Sequence, residues 1–269
     1  MSIPLYAVMG NPIAHSLSPV IHQQFAEQTS ISLRYSKIEV PVALFEQYVI
    51  DFFNQPEGKG LNITLPFKER AFAMAQVKSP RCLQAGAANT LWMADGQLHA
   101  DNTDGVGLIR DLSRYIDLTG KTIVLLGSGG AARGVIGALL NAHPARLIIS
   151  NRTLDKAHAL KTCFPAIHTC GFEALTEHYD VIINATSASL ADDMPRLPAQ
   201  CIAPGALAYE MMYGKITTPF MTFAVSAGAR VEDGLGMLVE QAAESFFLWR
   251  GVRPETGGII AGFRRKLQN

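Results

Sequence analysis

An apolar run from Thr122 to Leu126 breaks at once into Gly127-Ser128-Gly129-Gly130, and a helical pattern follows. Ala132, Val135, Ile136, Leu139 and Leu140 fall at the i, i+3, i+4, i+7, i+8 spacing of one helix face. Strand, glycine turn and helix in that order make Gly127-x-Gly129-x-x-Ala132 the turn of a dinucleotide-binding unit. Gly127 permits the tight turn, and Gly129 lets the backbone approach a pyrophosphate. Ala132, in place of a third glycine, still allows close packing of helix on strand. The free N–H groups and the dipole at the helix start then favour the anion. An ordinary strand-to-helix turn is the plain alternative.

From Lys121 onward the pattern alternates regularly. Strands are expected at 121–126, 145–150, 179–184, 205–210 and about 229–232, with helices near 130, 154, 171 and 218. That is a doubly wound parallel sheet. Upstream, strands are expected at Leu5–Met9, Leu33–Val40 and Leu61–Thr64. Ser18-Pro19 reads as a helix start, with Ser18 at the N-cap and Pro19 at the first helical position. Pro41 opens a helix with Phe45, Tyr48, Val49, Phe52 and Phe53 on one face, and Pro66 opens another with Lys68 in its first turn. Residues 79–86 read as a short helix. Asp95-Gly96 between two apolar runs signals a hairpin, and 101–105 caps a helix running to about Tyr115. Two closing helices, Gly234–Trp249 and 254–268, are expected to return to the first domain. The fold class is therefore α/β with two domains: an N-terminal α/β domain of residues 1–104 plus 236–269, and a Rossmann-type doubly wound parallel-sheet domain of residues 105–235.

The formal net charge is zero, and no basic stripe points to nucleic acid. No apolar run approaches the roughly 20 residues of a membrane span, and the N-terminus lacks the basic flank and apolar core of a signal peptide. Cys82, Cys163, Cys170 and Cys201 form no C-x-x-C pair, and no metal is expected. The expectation is a cytoplasmic globular protein with buried free thiols.

The second strand of the parallel sheet ends in Asn151-Arg152-Thr153, where an NAD site would carry a carboxylate for the ribose 2′-hydroxyl. A guanidinium forks onto a 2′-phosphate instead, and Lys156 adds a second positive charge one turn on. The cofactor expected is NADP.

Several polar residues interrupt apolar surroundings. Asn62 and Thr64 alternate with Leu61, Ile63 and Leu65. Lys68 opposes the macrodipole of its own helix. Asn89 follows a run of small residues, Asp104 opens a helix, and Gln241 shares a helical face with Leu238, Ala242 and Ser245. Each alone has a structural explanation. Together, His15 to Pro19, Asn62 to Lys68, Gly86 to Thr90, Asp101 to Gly105, Gly127 to Gly134, Asn151 to Thr153, Asn184 to Ser187 and Asp233 to Gln241 occur in the order in which the shikimate dehydrogenase family carries them. From residue 5 to about 260 the chain resembles that family.

The resemblance implies NADP-dependent, reversible reduction of 3-dehydroshikimate to shikimate by hydride transfer in the cleft between the two domains. It implies that the N-terminal domain binds substrate and the central one NADP. Ser16 and Ser18 correspond to residues holding the substrate carboxylate, with Tyr213 a further contact. Asn62, Thr64, Asn89, Asp104 and Gln241 correspond to ligands of the ring hydroxyls, and Lys68 with Asp104 to the catalytic pair. Gly127, Ser128, Gly129, Gly130, Ala131 and Ala132 would cradle the pyrophosphate. Asn151, Arg152, Thr153 and Lys156 would surround the 2′-phosphate. Thr186, Met211, Gly234 and Met237 would neighbour the nicotinamide. The expected partner is a small molecule, with neither nucleic acid nor membrane, and the chain would act as a monomer or homodimer. Two departures from the family pattern stand out: Ala188-Ser189 where a glycine is frequent, and Glu210 where Asp is frequent. The alternatives are a non-catalytic NADP or shikimate sensor and a quinate/shikimate dehydrogenase of broader specificity. A methyltransferase would need an acidic residue where Asn151-Arg152 stand.

Overall fold

A computed structural model of the chain describes residues 2–188, 193–214 and 216–268. Two compact units divide it: Met1–Gly107 with Val239–Gly262, and Leu108–Leu238 with Phe263–Asn269.

The first unit begins with β1 (Leu5–Gly10), α1 (Ser18–Thr29), β2 (Arg34–Glu39), α2 (Phe45–Asn54) and β3 (Gly58–Ile63). It continues through α3 (Lys68–Met74), β4 (Val77–Lys78), α4 (Pro80–Ala85), β5 (Thr90–Ala94), β6 (Gln97–Asp101) and the start of α5 (Asp104–Leu112). The sheet order is β2-β1-β3-β5-β6-β4. β1 runs parallel to β2 and β3, and β3 meets the antiparallel hairpin β5–β6. Asp95 and Gly96 both have positive φ, 50° and 73°, which matches the twist of the flanking strands. One face of the sheet packs Ala7, Met9, Leu61 and Ile63 under Phe45, Val49 and Phe52 of α2. Fully burying each of these side chains larger than alanine contributes about 1.5–3 kcal/mol. Phe67 stacks on Phe45 at 4.5 Å, and the Arg70 guanidinium lies over both rings while pairing with Glu46. These contacts fix the first turn of α3, which opens at Lys68.

The expected capping by Ser18 does not occur. Leu17 takes the N-cap position with φ −86° and ψ −6°, and α1 has no side-chain cap. Ser18 is already helical, and its hydroxyl is free to serve the loop before it. Pro41 is followed first by a single 3-10 turn, Val42–Leu44, so α2 begins four residues later than expected.

The second unit is built from β7 (Thr122–Leu126), α6 (Gly130–Asn141), β8 (Arg146–Ser150), α7 (Leu154–Ala159), β9 (His168–Cys170) and β10 (Tyr179–Asn184). β11 (Ile202–Glu210), α8 (Pro219–Ser226) and β12 (Arg230–Asp233) complete its sheet. All six strands are parallel, in the order β12-β11-β10-β7-β8-β9. That is the Rossmann order, with its topological switch between β7 and β10. Ile123, Leu125, Val181 and Ile183 pack against Val135, Ile136 and Leu139 of α6. Val124, Leu126 and Ile182 pack on the other face with Phe220 and Ala224 of α8. Burial on both faces explains why these strands read as continuous apolar runs. The expected helix near 171 is a 3-10 turn, Phe172–Ala174, because β9 and its connection use up the residues.

The closing helices are α9 (Leu235–Arg250) and α10 (Gly257–Gln268). The boundary between units falls inside α9, after Leu238, and Phe263–Asn269 group with the second unit rather than the first. Within the second unit Arg264 donates to Glu232 at 2.7 Å and to the Tyr115 hydroxyl at 3.1 Å. All four cysteines are free; Cys82 and Cys201 are buried, whereas Cys163 is exposed, contrary to expectation. Among the described residues no helix is long and apolar enough to cross a membrane.

Candidate active site

One hydrogen-bonded network in the first unit joins seven of the nine expected substrate residues. It starts in the loop before α1, where Ser16 Oγ donates to Ser18 Oγ at 3.1 Å. The Ser18 hydroxyl meets the phenol of Tyr35 on β2, which burial holds well above its ordinary pKa and so keeps as a donor. Tyr35 donates to Asn62 Oδ1 at 2.7 Å. The Asn62 amide nitrogen faces the Asn89 carbonyl at 3.1 Å, Thr90 Oγ1 at 3.3 Å and Ser245 Oγ at 3.0 Å. Asn89, just before β5, donates to Asp104 Oδ1 at 2.8 Å, to Thr103 Oγ1 at 2.8 Å and to Gln241 Oε1 at 3.3 Å. Lys68 Nζ closes the chain on Asp104 Oδ2 at 2.5 Å. Thr64, half-buried after β3, sets its methyl against Gly10.

Local structure explains the charges. Lys68 at the first position of α3 opposes that helix dipole, and Asp104 compensates it. Asp104 is itself the first residue of α5, where an anion is favoured. Its carboxylate serves Lys68 and Asn89, while its N–H donates to Asn102 Oδ1 at 3.1 Å. The pair is screened unequally: the Lys68 side chain is 23% exposed and that of Asp104 9%. The lysine side chain is thus partly open while the Asp104 carboxylate is enclosed and held by Lys68 and Asn89.

Tyr35, Thr90, Thr103 and Ser245 are network members that were not singled out from sequence. Thr103 stands inside the Asp101–Gly105 motif, and Ser245 falls one helical turn from Gln241, so both carried a positional signal. Tyr35 carried none, since a tyrosine on a strand reads as ordinary packing.

The second unit holds the dinucleotide residues and Tyr213. β7 ends at Leu126, and Gly127 turns with φ 105° while its N–H bonds the Ser150 carbonyl at 2.8 Å. A side chain at Gly127 would be strained by that φ and would press within 3.2 Å of the Ala185 carbonyl. Gly129 is extended at the N-cap of α6, and a Cβ there would meet nothing within 4 Å. The Arg133 N–H makes the first helical bond, to Gly129, so Gly130, Ala131 and Ala132 keep N–H groups without helical acceptors. A cavity of about 330 Å³ opens here, lined by Ser128, Gly129, Asn151, Arg152, Thr153 and Lys156. No carboxylate is among its lining residues. Asn151 Nδ2 donates to the Thr153 carbonyl at 2.8 Å and shapes the loop, and Arg152 and Lys156 are exposed cations on it.

Thr186 follows β10, Met211 follows β11 and Gly234 follows β12, all at carboxyl ends of parallel strands. Gly234 N–H bonds the Met212 carbonyl at 3.0 Å, and Met237 is buried in the first turn of α9. Tyr213 is half-buried, and burial raises its pKa. The Ser189 departure lies outside the described residues. Glu210 is fully buried at the end of β11.

Residues 8–91 match the family described as shikimate dehydrogenase substrate binding domain. Residues 111–192 match shikimate / quinate 5-dehydrogenase, and residues 234–261 match the shikimate 5′-dehydrogenase C-terminal domain. The shikimate dehydrogenase (NADP(+)) of Legionella pneumophila (strain Corby) is 55% identical over 260 residues, which cover 96% of this chain and 98% of that one. An Ael1 enzyme from Pseudomonas putida is structurally similar with a TM-score of 0.92 at 46% identity, covering 96% of this chain and 97% of that one. Shikimate 5-dehydrogenase from Thermus thermophilus, solved in complex with NADP(H) and shikimate, gives 0.89 at 33% identity with coverage of 98% and 99%.

Proposed function

The chain belongs to the shikimate dehydrogenase family, and from that premise we propose that it catalyses the reversible, NADPH-dependent reduction of 3-dehydroshikimate to shikimate. The observation that carries the reading is the Lys68–Asp104 pair at 2.5 Å, set at the end of a polar network that Asn89 and Gln241 share. A purely structural ion pair has no need of so many converging amides and hydroxyls.

The residues present fit the cofactor. The open backbone at Gly129, the free N–H groups opening α6 and the cationic, carboxylate-free lining suit a dinucleotide with a 2′-phosphate. Gly127 to Ala132 would hold its pyrophosphate, and Asn151, Arg152, Thr153 and Lys156 its 2′-phosphate. Thr186, Met211, Gly234 and Met237 would receive its nicotinamide, which supplies the hydride when bound.

The chain's own residues do the rest. Ser16 and Ser18 bind the substrate carboxylate, and Asn62, Thr64, Asn89, Asp104 and Gln241 orient the ring through its oxygens. As the ketone carbon is reduced, negative charge grows on its oxygen. The Lys68 ammonium stabilises that charge and delivers a proton from Nζ. In the oxidative direction the Lys68 amine takes the hydroxyl proton. Asp104 holds Nζ in place and balances its charge. The reading carries with it a cytoplasmic enzyme acting on a small molecule, as a monomer or homodimer.

The test is absorbance at the reduced-nicotinamide band with purified protein, shikimate, and NADP or NAD in parallel. Reduction of NADP with little or none of NAD is expected. Equal rates would overturn the reading of Arg152, and no reduction by folded protein would leave a binding protein without catalysis.

A further inference from the structure

Glu210, the last residue of β11, is 0% exposed, and no step above uses it. A carboxylate withdrawn from water is costly unless donors converge on it. Here they do. Glu210 Oε2 accepts from Asn184 Nδ2 at 2.9 Å and from Thr218 Oγ1 at 3.1 Å, and Oε1 accepts the Met212 N–H at 3.2 Å.

Each donor belongs to a different segment. Asn184 ends β10, and its Oδ1 takes both the N–H of Thr186 at 3.1 Å and its hydroxyl at 2.7 Å. Met212 lies between Met211 and Tyr213 in the segment leaving β11. Thr218 caps α8, accepting the Met221 N–H at 3.2 Å. Both strand-end segments leave the carboxyl edge of the parallel sheet, where ligands of such sheets bind. The donors require an acceptor at both oxygens. An amide in its place would turn hydrogens toward those of the Asn184 amide or of the Met212 N–H.

We propose that Glu210 is a positioning residue that ties the segment carrying Thr186 to the segment carrying Met211 and Tyr213, and so shapes the receptor for the nicotinamide end of the cofactor. It acts through Asn184, Met212 and Thr218 and touches no reacting atom. The proposal rests on the cofactor reading above. It also gives the glutamate a role of its own: the side chain reaches three donors at once.

The experiment is calorimetric titration of wild type and Glu210→Gln with NADP⁺ and, separately, with adenosine 2′,5′-bisphosphate. The second ligand carries the 2′-phosphate and no nicotinamide. Loss of a hydrogen-bonded charge predicts that Glu210→Gln weakens NADP⁺ about tenfold and leaves the bisphosphate within about twofold. Glu210→Asp, one methylene shorter with the same charge, is expected to give a smaller loss of the same kind, and it carries the comparison if the glutamine variant does not fold. Equal weakening of both ligands, or of neither, would overturn the assignment of Glu210 alone. Wild type binding neither ligand would overturn the cofactor reading, and this assignment with it.

Discussion

Acidification is expected to destabilise the first unit through His22. This side chain is 0% exposed, stacked on Tyr35 at 4.1 Å and flanked by Phe25, Phe246 and Trp249. Neither ring nitrogen makes a well-formed hydrogen bond. Burial lowers its pKa from 6.5 to about 3, against a smaller opposing influence of Asn62. The unfolded chain therefore takes up a proton near pH 6.5 that the folded chain refuses. The stability due to neutral His22 is complete above pH 6.5 and is lost as pH falls from there toward 3. Its share of the loss is about 2 kcal/mol at pH 5 and about 5 kcal/mol at the acid limit, at 1.36 kcal/mol per pKa unit. His22→Phe keeps an aromatic ring and removes the titration. Any packing cost of the larger ring shifts stability equally at every pH. Urea unfolding of both proteins at pH 8 and pH 5 should show the wild type losing about 2 kcal/mol more than the variant over that interval. Parallel losses would refute the reasoning, because they would mean that His22 is protonated as easily folded as unfolded.

Other outcomes follow from single contacts. Gly236→Ala would place a Cβ 1.9 Å from Asp111 Oδ1, and a destabilisation of roughly 1–3 kcal/mol is expected in denaturant unfolding. Arg152→Ala removes the guanidinium from the cavity, and the KM for NADP should rise about 10- to 100-fold while that for NAD changes little. Tyr35→Phe deletes the donor to Asn62 Oδ1. Steady-state kinetics should show a KM for shikimate raised by roughly 3- to 10-fold, with kcat and the KM for NADP nearly unchanged.

The parallel sheet was readable because strands buried on both faces leave an unbroken apolar signature, as in Thr122–Leu126 and Tyr179–Asn184. Asp95-Gly96 was readable because only a few residue pairs tolerate two successive positive φ angles. Short elements held by neighbours rather than by pattern were not: β4 has two residues and β9 three, and their pairing partners lie elsewhere in the chain. Ser18 shows the limit of local rules. Its residue type and the following proline both suggest a cap, yet Leu17 holds that position and Ser18 turns to Ser16 and Tyr35. The candidate catalytic pair illustrates the opposite case. Nothing local joins Lys68 to Asp104, and a family resemblance supplied what 36 residues of separation hide. Tyr35 needed the fold itself, since its importance lies in what it touches.

The most direct measurement compares wild type with Lys68→Ala for shikimate oxidation by NADP, taking kcat and KM separately. If Lys68 carries the proton, kcat should fall by about 10²- to 10⁴-fold with KM for shikimate changed far less. A raised KM with unchanged kcat would contradict that role and leave Lys68 as a binding residue alone.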